Sequence, residues 1–312
     1  MRPLLILLAA LAFAAPAHAA EPCNRACLYK VLDAYLAALK ARDASKAPLA
    51  AHARNSENNV MLAPGDGMWA TLAELRPYDL RFADPKTGGV GFYGVVEEAG
   101  TASPFALRLK VSGGKITEAE TVVARPQDAG VPFVTTTAAA RPAMNEILPP
   151  SARSPRAKMI ALADGYFSTL ERNDGTIRTR FAPDCNRLED GYQTTNNPAG
   201  TFSTVMGLGC EAQFKLGNYR YDDRLRARRY FVVDEERGIV MAAAFIDHSG
   251  RLGEYTLTDG RKVVSSYRRP HTLCVLEAFR IRDGQIAEVE SVFTSVPYRM
   301  PSPWTASAQS LK

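Results

Sequence analysis

Lys115-Ile116-Thr117-Glu118-Ala119-Glu120-Thr121-Val122 and Gln285-Ile286-Ala287-Glu288-Val289-Glu290-Ser291-Val292 read as one strand written twice, each behind a Gly turn. Working outward, Leu109-Lys110-Val111 and Gly114 match Phe279-Arg280-Ile281 and Gly284. Upstream, Leu75-Arg76 through Val90 to Glu98-Ala99-Gly100 aligns without a gap on Leu225-Arg226 through Val240 to His248-Ser249-Gly250. The spacing between these blocks is wider in the second copy, which places an insertion over about residues 251–270. Nearer the start, Tyr35, Leu39 and Asp43 match Tyr166, Leu170 and Asp174, and Glu57-Asn58 matches Glu189-Asp190. Self-similarity on this scale means two repeats of one domain.

Each repeat predicts a helix followed by strands. Residues 26–42 place Leu28, Val31, Leu32, Tyr35, Leu36 and Leu39 on one helical face, and 157–172 do the same with Met159, Leu162, Ala163, Tyr166 and Leu170. Strand patterns follow at 78–83, 89–97, 104–111 and 115–123, and again at 229–234, 238–247, 272–281 and 285–295. The turns Ser112-Gly113-Gly114-Lys115 and Arg282-Asp283-Gly284-Gln285 favour tight hairpins. These patterns divide the chain into a signal peptide (1–20), a first domain (21–126), a Pro-, Ala- and Thr-rich linker (127–154), a second domain (155–300) and a C-terminal tail (301–312).

A helix followed by a hairpin-rich sheet ending in an Ile-x-Glu-x-Glu strand resembles the nuclear transport factor 2-like superfamily, which includes ketosteroid isomerases and polyketide cyclases. The resemblance rests on element order and covers both copies. It implies an α+β fold: two tandem cone-shaped barrels, each with N-terminal helices packed in a curved, mainly antiparallel sheet around a blind, apolar pocket. Members of the superfamily often pair through their outer sheet faces, so the fused copies imply a pseudo-dimeric monomer and leave a further homodimer open. Function follows less directly, because the superfamily holds enzymes, binders and scaffolds.

The first twenty residues have the form of a secretory signal: Arg2, an apolar run from Leu4 to Ala15, and Ala17-His18-Ala19-Ala20 as a cleavage site. The run falls short of the roughly 20 apolar residues that span a bilayer. A periplasmic or secreted protein without membrane attachment is expected. All five cysteines follow the cleavage site, where disulfides persist. Cys185 pairs with Cys210 in this reading and Cys274 stays free and buried in a strand. Cys23 and Cys27 are open between a local disulfide and two free thiols.

The net charge of +5 is modest for the length. Its basic groups, Arg224, Arg226, Arg228 and Arg229 and then Arg261, Lys262, Arg268 and Arg269, read as solvated strand and loop surface, and no nucleic-acid partner is expected. Standard motifs for hydrolases, nucleotide binding and zinc are absent. A histidine metal centre would have to combine His52, His248 and His271 across repeats, so neither metal nor cofactor is expected.

Comparing the repeats is more informative. Glu277 stands where the first copy has Leu107, on a face otherwise made by Val275, Phe279 and Ile281. A carboxyl there loses hydration, its pKa rises, and it suits proton transfer near neutral pH. The structural alternative is an ion pair with an arginine of the same copy. Asp247-His248 takes the place of Glu97-Glu98 at a strand end, as acid/base groups or as a turn cap. Tyr267 and Arg268 lie in the insertion, where they could close the pocket mouth, and His271 opens the next strand. The loop carrying Glu189, Tyr192 and Asn196 is dense in hydrogen-bonding groups, and a Cys185–Cys210 bridge would hold it over the pocket. Glu277, His248, Asp247 and Tyr267 are therefore the catalytic candidates, and His271, Glu189, Tyr192, Asn196 and Arg268 the ligand-binding ones. The expected activity is that of an exported, cofactor-independent isomerase, cyclase or lyase acting on a small apolar carbonyl or phenolic compound in the second domain. The alternatives are a periplasmic binding protein for a small hydrophobic or aromatic ligand and an interaction scaffold.

Overall fold

The computed structural model describes residues 23–126, 141–200 and 203–305. The expected signal peptide, residues 127–140 of the expected linker and residues 306–312 of the expected tail lie outside the described residues.

In the first repeat, α1 (Arg25–Lys40) is capped by the Asn24 side chain, which accepts from the Cys27 amide at 3.0 Å. It is followed by β1 (Leu49–Glu57), β2 (Val60–Met61), α2 (Met68–Thr71), β3 (Leu72–Leu75), β4 (Leu80–Asp84), β5 (Gly89–Glu98), β6 (Thr101–Ser112) and β7 (Lys115–Val123). A short helix, α3 (Pro142–Asn145), precedes the second repeat: α4 (Arg156–Arg172), β8 (Phe181–Glu189), β9 (Tyr192–Gln193), α5 (Cys210–Lys215), β10 (Arg224–Asp234), β11 (Ile239–His248), β12 (Glu254–Thr256), β13 (Lys262–Val264), β14 (His271–Arg282) and β15 (Gln285–Val296). The insertion forms the separate β12–β13 hairpin.

The two sheets share one plan. Strand order is β2-β1-β7-β6-β5-β3 in the first, with β4 also on β5, and β10-β11-β14-β15-β8-β9 in the second. In each, the strand that opens the repeat lies parallel to the one that closes it, β1 on β7 and β8 on β15. This corrects the expected architecture. Each sheet is mixed and open, with two free ends that do not pair, so neither repeat is a cone-shaped barrel. It also corrects the reading of residues around Cys185 and Glu189 as loop, since both belong to β8.

Both faces of the sheets are covered, and all ten residues of β11 are buried. On the inner face, α1 and α4 close separate cores, Leu32, Tyr35 and Leu39 with Leu107 and Leu109 in one, Met159, Tyr166 and Phe167 with Val275 and Phe279 in the other. A third core lies between the repeats, where Phe82, Tyr93 and Ala106 meet Met241, Phe245, Leu276 and Ala278. Approach is close there: a Cβ on Gly91 would lie 2.8 Å from the Met241 sulfur.

Polar contacts across this seam are reciprocal. The Arg25 guanidinium reaches Asp234 at 2.8 Å and Arg156 reaches Asp84 at 2.6 Å. The Ala83 amide donates to Asp234 and the Val233 amide to Asp84, each at 3.1 Å. Each of these four contacts has its counterpart in the other repeat, the pattern of an isologous interface, here within one chain. The two disulfides are Cys23–Cys27 and Cys185–Cys210, and Cys274 is free and buried. Among the described residues no helix is long and apolar enough to cross a membrane.

Candidate functional site

Register turns the inner face of the second sheet into a set of rows, because directly paired residues point to the same side. The deepest row is Val240, Phe279, Val289 and Arg187; the next is Ala242, Glu277, Ser291 and Glu189. Above these lie Ala244, Val275 and Phe293, then Ile246, Leu273 and Ser295, and at the open end His248 beside His271. The matching rows of the first repeat are Val90, Leu109, Ala119 and Asn55, then Phe92, Leu107, Thr121 and Glu57.

This comparison shows how the second repeat acquires space. Ala242 stands where Phe92 fills the first repeat, and there Trp69 also packs edge-on against Tyr35 at 5.1 Å. Between the second sheet, α4 and the β12–β13 hairpin lies a cavity of about 1240 Å³. Glu277, Glu189, His248, Tyr267, Arg268 and His271 line it. Asn58 and Val60 of the first repeat complete its rim.

The floor is polar. Glu277 is 3 % exposed, and burial pushes its carboxyl up to about 8, reinforced by the Glu189 charge and opposed by Arg187 and the Tyr166 hydroxyl. Arg187, only 2 % exposed, donates to Gln213 Oε1 at 2.6 Å and to the Tyr219 and Tyr166 hydroxyls at 2.5 and 3.2 Å. Its guanidinium lies over the Phe214 and Tyr219 rings. The nearest carboxylate, Glu189, is 3.9 Å away, too long for a hydrogen bond. Gln213 is held by its own amide, which donates to the Thr194 and Val205 carbonyls, so the oxygen facing Arg187 is set by the fold. Among the described residues no ion pair forms at Glu277; Arg187 makes its hydrogen bonds to neutral acceptors, with Glu189 as its distant charge partner.

The mouth is built from rings. His248 stacks on His271 with centroids 4.5 Å apart and planes 3° from parallel, and Tyr267 lies 4.4 Å from His248. Asp222 Oδ1 meets His248 Nε2 at 2.8 Å. Burial raises the Asp222 carboxyl pKa, and His248 opposes that rise. Burial also raises the Tyr267 phenol and lowers the His271 imidazole.

Of the residues singled out by sequence, the structure brings Glu277, His248, Tyr267, His271, Glu189 and Arg268 to one cavity, but at two levels. His271 and Glu277 stand six positions apart on β14, roughly 20 Å along an extended strand. Asp247, neighbouring His248, points to the opposite face, where Arg226 holds it at 2.8 and 3.0 Å and Thr272 donates to it at 2.6 Å. Tyr192 and Asn196 do not line the cavity; the Asn196 amide ties its loop to Cys185 O and Asn186. Sequence reading missed Arg187 and Asp222. Both were within reach of the repeat comparison: extending the aligned blocks sets Arg187 against Asn55 and Asp222 against Leu72. Among the described residues no group of three or more His, Cys, Asp and Glu side chains could hold a metal ion.

A family model described as "Domain of unknown function (DUF8021)" matches residues 21–123 and 152–293. The chain belongs to this family. No curated protein matches this DUF8021 chain. Solved structures similar to it include an NTF-2 like protein of unknown function from Burkholderia xenovorans, 13% identical over 34% of this chain and 89% of that one, with a TM-score of 0.27. A hypothetical protein of ketosteroid isomerase-like fold from Catenulispora acidiphila is 14% identical over 30% and 83%, TM-score 0.25. AclR, a putative hydroxylase from Streptomyces galilaeus, is 15% identical over 46% and 83%, TM-score 0.29. Likeness at this level says nothing about activity.

Proposed function

We propose that the second repeat is a cofactor-independent enzyme that moves a proton on a small, largely apolar carbonyl or phenolic compound, as an isomerase, cyclase or lyase does. The observation that carries this reading is Glu277: a carboxyl with a pKa of about 8, buried without an arginine partner, on the wall of a large cavity. Near neutral pH it is mostly protonated yet close enough to ionisation to act in both directions. In its carboxylate form it accepts a proton from carbon alpha to a carbonyl and returns it to another atom. The charge gathered on the carbonyl oxygen is met by the Arg187 guanidinium, which its hydrogen bonds to Gln213, Tyr219 and Tyr166 already orient. His248, at the far end of β11, is too distant from Glu277 to share that oxygen, so Arg187 is the group that polarises it. Export to a periplasm or medium belongs to the same proposal, supported by the leader-like first twenty residues and the disulfides.

The test mixes purified protein, without added cofactor, with a panel of cyclic ketones, polyketide-like phenols and aromatic dimers, scoring retention and change of mass or retention time. Conversion that rises with pH toward about 8 and is lost in Glu277→Gln while retention survives is expected. Retention without conversion in the wild type would replace the enzyme by a binding protein.

A further inference from the structure

Above the Glu277 level, the cavity ends in a second polar group whose hydrogen bonding is incomplete. His248 is 1 % exposed, and among the described residues its Nδ1 has no partner although its Nε2 is held by Asp222 at 2.8 Å. His271, across the strand pair, has its Nδ1 2.9 Å from the Arg269 carbonyl, while its Nε2 is buried without a partner. A carbonyl oxygen only accepts, so His271 Nδ1 carries the hydrogen and Nε2 presents a lone pair. Both rings line the cavity, stacked and backed by Tyr267 and Tyr221. Buried polar atoms left open in this way are costly unless something completes them.

We infer that the cavity mouth is a subsite for a hydroxyl group, alcohol or phenol, that donates to His271 Nε2 and sits against His248 Nδ1. A hydroxyl fits where other oxygen groups do not. It supplies the donor that His271 requires, and its oxygen accepts from His248 Nδ1 when the Asp222–His248 pair holds a proton there. A ketone or ether can only accept and leaves His271 open. Between this subsite and Glu277 the sheet wall is mostly apolar, made by Ile246, Leu273 and Phe293 with Ser295 at its side. The ligand that satisfies both ends is an elongated apolar molecule with a hydroxyl at the outer end and the reacting carbon near the floor. This deepens the enzyme reading and rests on it for the floor, while the hydroxyl subsite stands on the mouth residues alone.

The experiment measures binding of 4-phenylphenol and its methyl ether, 4-methoxybiphenyl, to the full chain by calorimetry. The wild type should prefer the phenol by at least about tenfold, since the ether leaves a buried acceptor open. His271→Phe preserves ring stacking and should erase the preference, whereas Glu277→Gln should keep it. Equal affinities in the wild type, persistence of the preference in His271→Phe, or no binding of either probe at millimolar concentration would overturn the subsite. Nitrogen-15 spectra of the free protein give a second reading independent of probes: His271 should be the Nδ1–H tautomer, and the Nε2–H tautomer would refute the argument. Failure at Glu277 with success at His271 leaves the subsite and removes the enzyme; the reverse removes only the subsite.

Discussion

Replacing Glu277 with Gln changes one proton and almost no volume, and its largest effect should appear in how stability depends on pH. The folded protein holds the Glu277 proton up to about 8, against a reference of 4.5 for the free side chain. The stabilisation is therefore complete below the unfolded pKa and is lost as pH climbs through the folded one. Integrating the difference in bound protons between pH 5 and pH 8 gives a loss of about 3.5 kcal/mol from this group alone. Glutamine has no proton to lose. Urea unfolding of wild type and Glu277→Gln at both pH values cancels the contribution of Asp190, Asp222 and every other group common to the two proteins. The variant should retain about 3 to 4 kcal/mol more of its pH 5 stability at pH 8. A difference below about 1 kcal/mol would show that Glu277 is ionised in the folded state and would remove the physical basis of the proposed chemistry.

Asp190 invites a comparison with its counterpart Asn58. Asn58 accepts from the Val123 amide at 2.8 Å and donates to its carbonyl at 3.2 Å; Asp190 accepts from the matching Phe293 amide at 2.9 Å, and its Oδ2, as a carboxylate oxygen, has no donor. Burial raises its pKa, which favours the neutral acid, the form that most resembles an amide. Asp190→Asn should leave urea stability at pH 7 unchanged or higher, whereas Asp190→Ala should cost about 1 to 3 kcal/mol. Removing the Cys185–Cys210 bridge, which spans 25 residues, should lower stability by about 3.5 kcal/mol on the chain-entropy account, measured by urea unfolding of the double alanine variant. Trp69→Ala should cost about 3 to 5 kcal/mol and open a cavity in the first repeat, seen as a drop in melting temperature and new binding of a small apolar probe.

Much of this fold was legible because it is stated twice. The repeat, both long helices, four strands of each sheet and the hairpin turns follow from periodicity, and the Cys185–Cys210 bridge from spacing and compartment. Strands β1 and β8 were not legible, and the cause is instructive. In Phe181 to Glu189 the inward positions include Arg187 and Glu189, so the residues that build the floor erase the apolar alternation that marks a strand. Open sheets instead of closed barrels were equally out of reach, since closure depends on whether distant ends meet and leaves no local pattern. Glu277 stood out because a charge interrupts an apolar face, and Asp222 did not because the aligned block was not carried three residues further back. Asp247 shows the limit of adjacency along a strand: its neighbour His248 faces the cavity while it faces Arg226.

The reciprocal seam between the repeats bears on how far their interiors can differ. In a pair of identical subunits each substitution appears at both sites, so one chamber cannot be closed without closing its twin. Two repeats in a single chain are free of that coupling. The first is filled by Trp69 and Phe92 and still holds its side of the shared seam, while the second is open around Ala242 and carries charges that a tightly packed interior would reject.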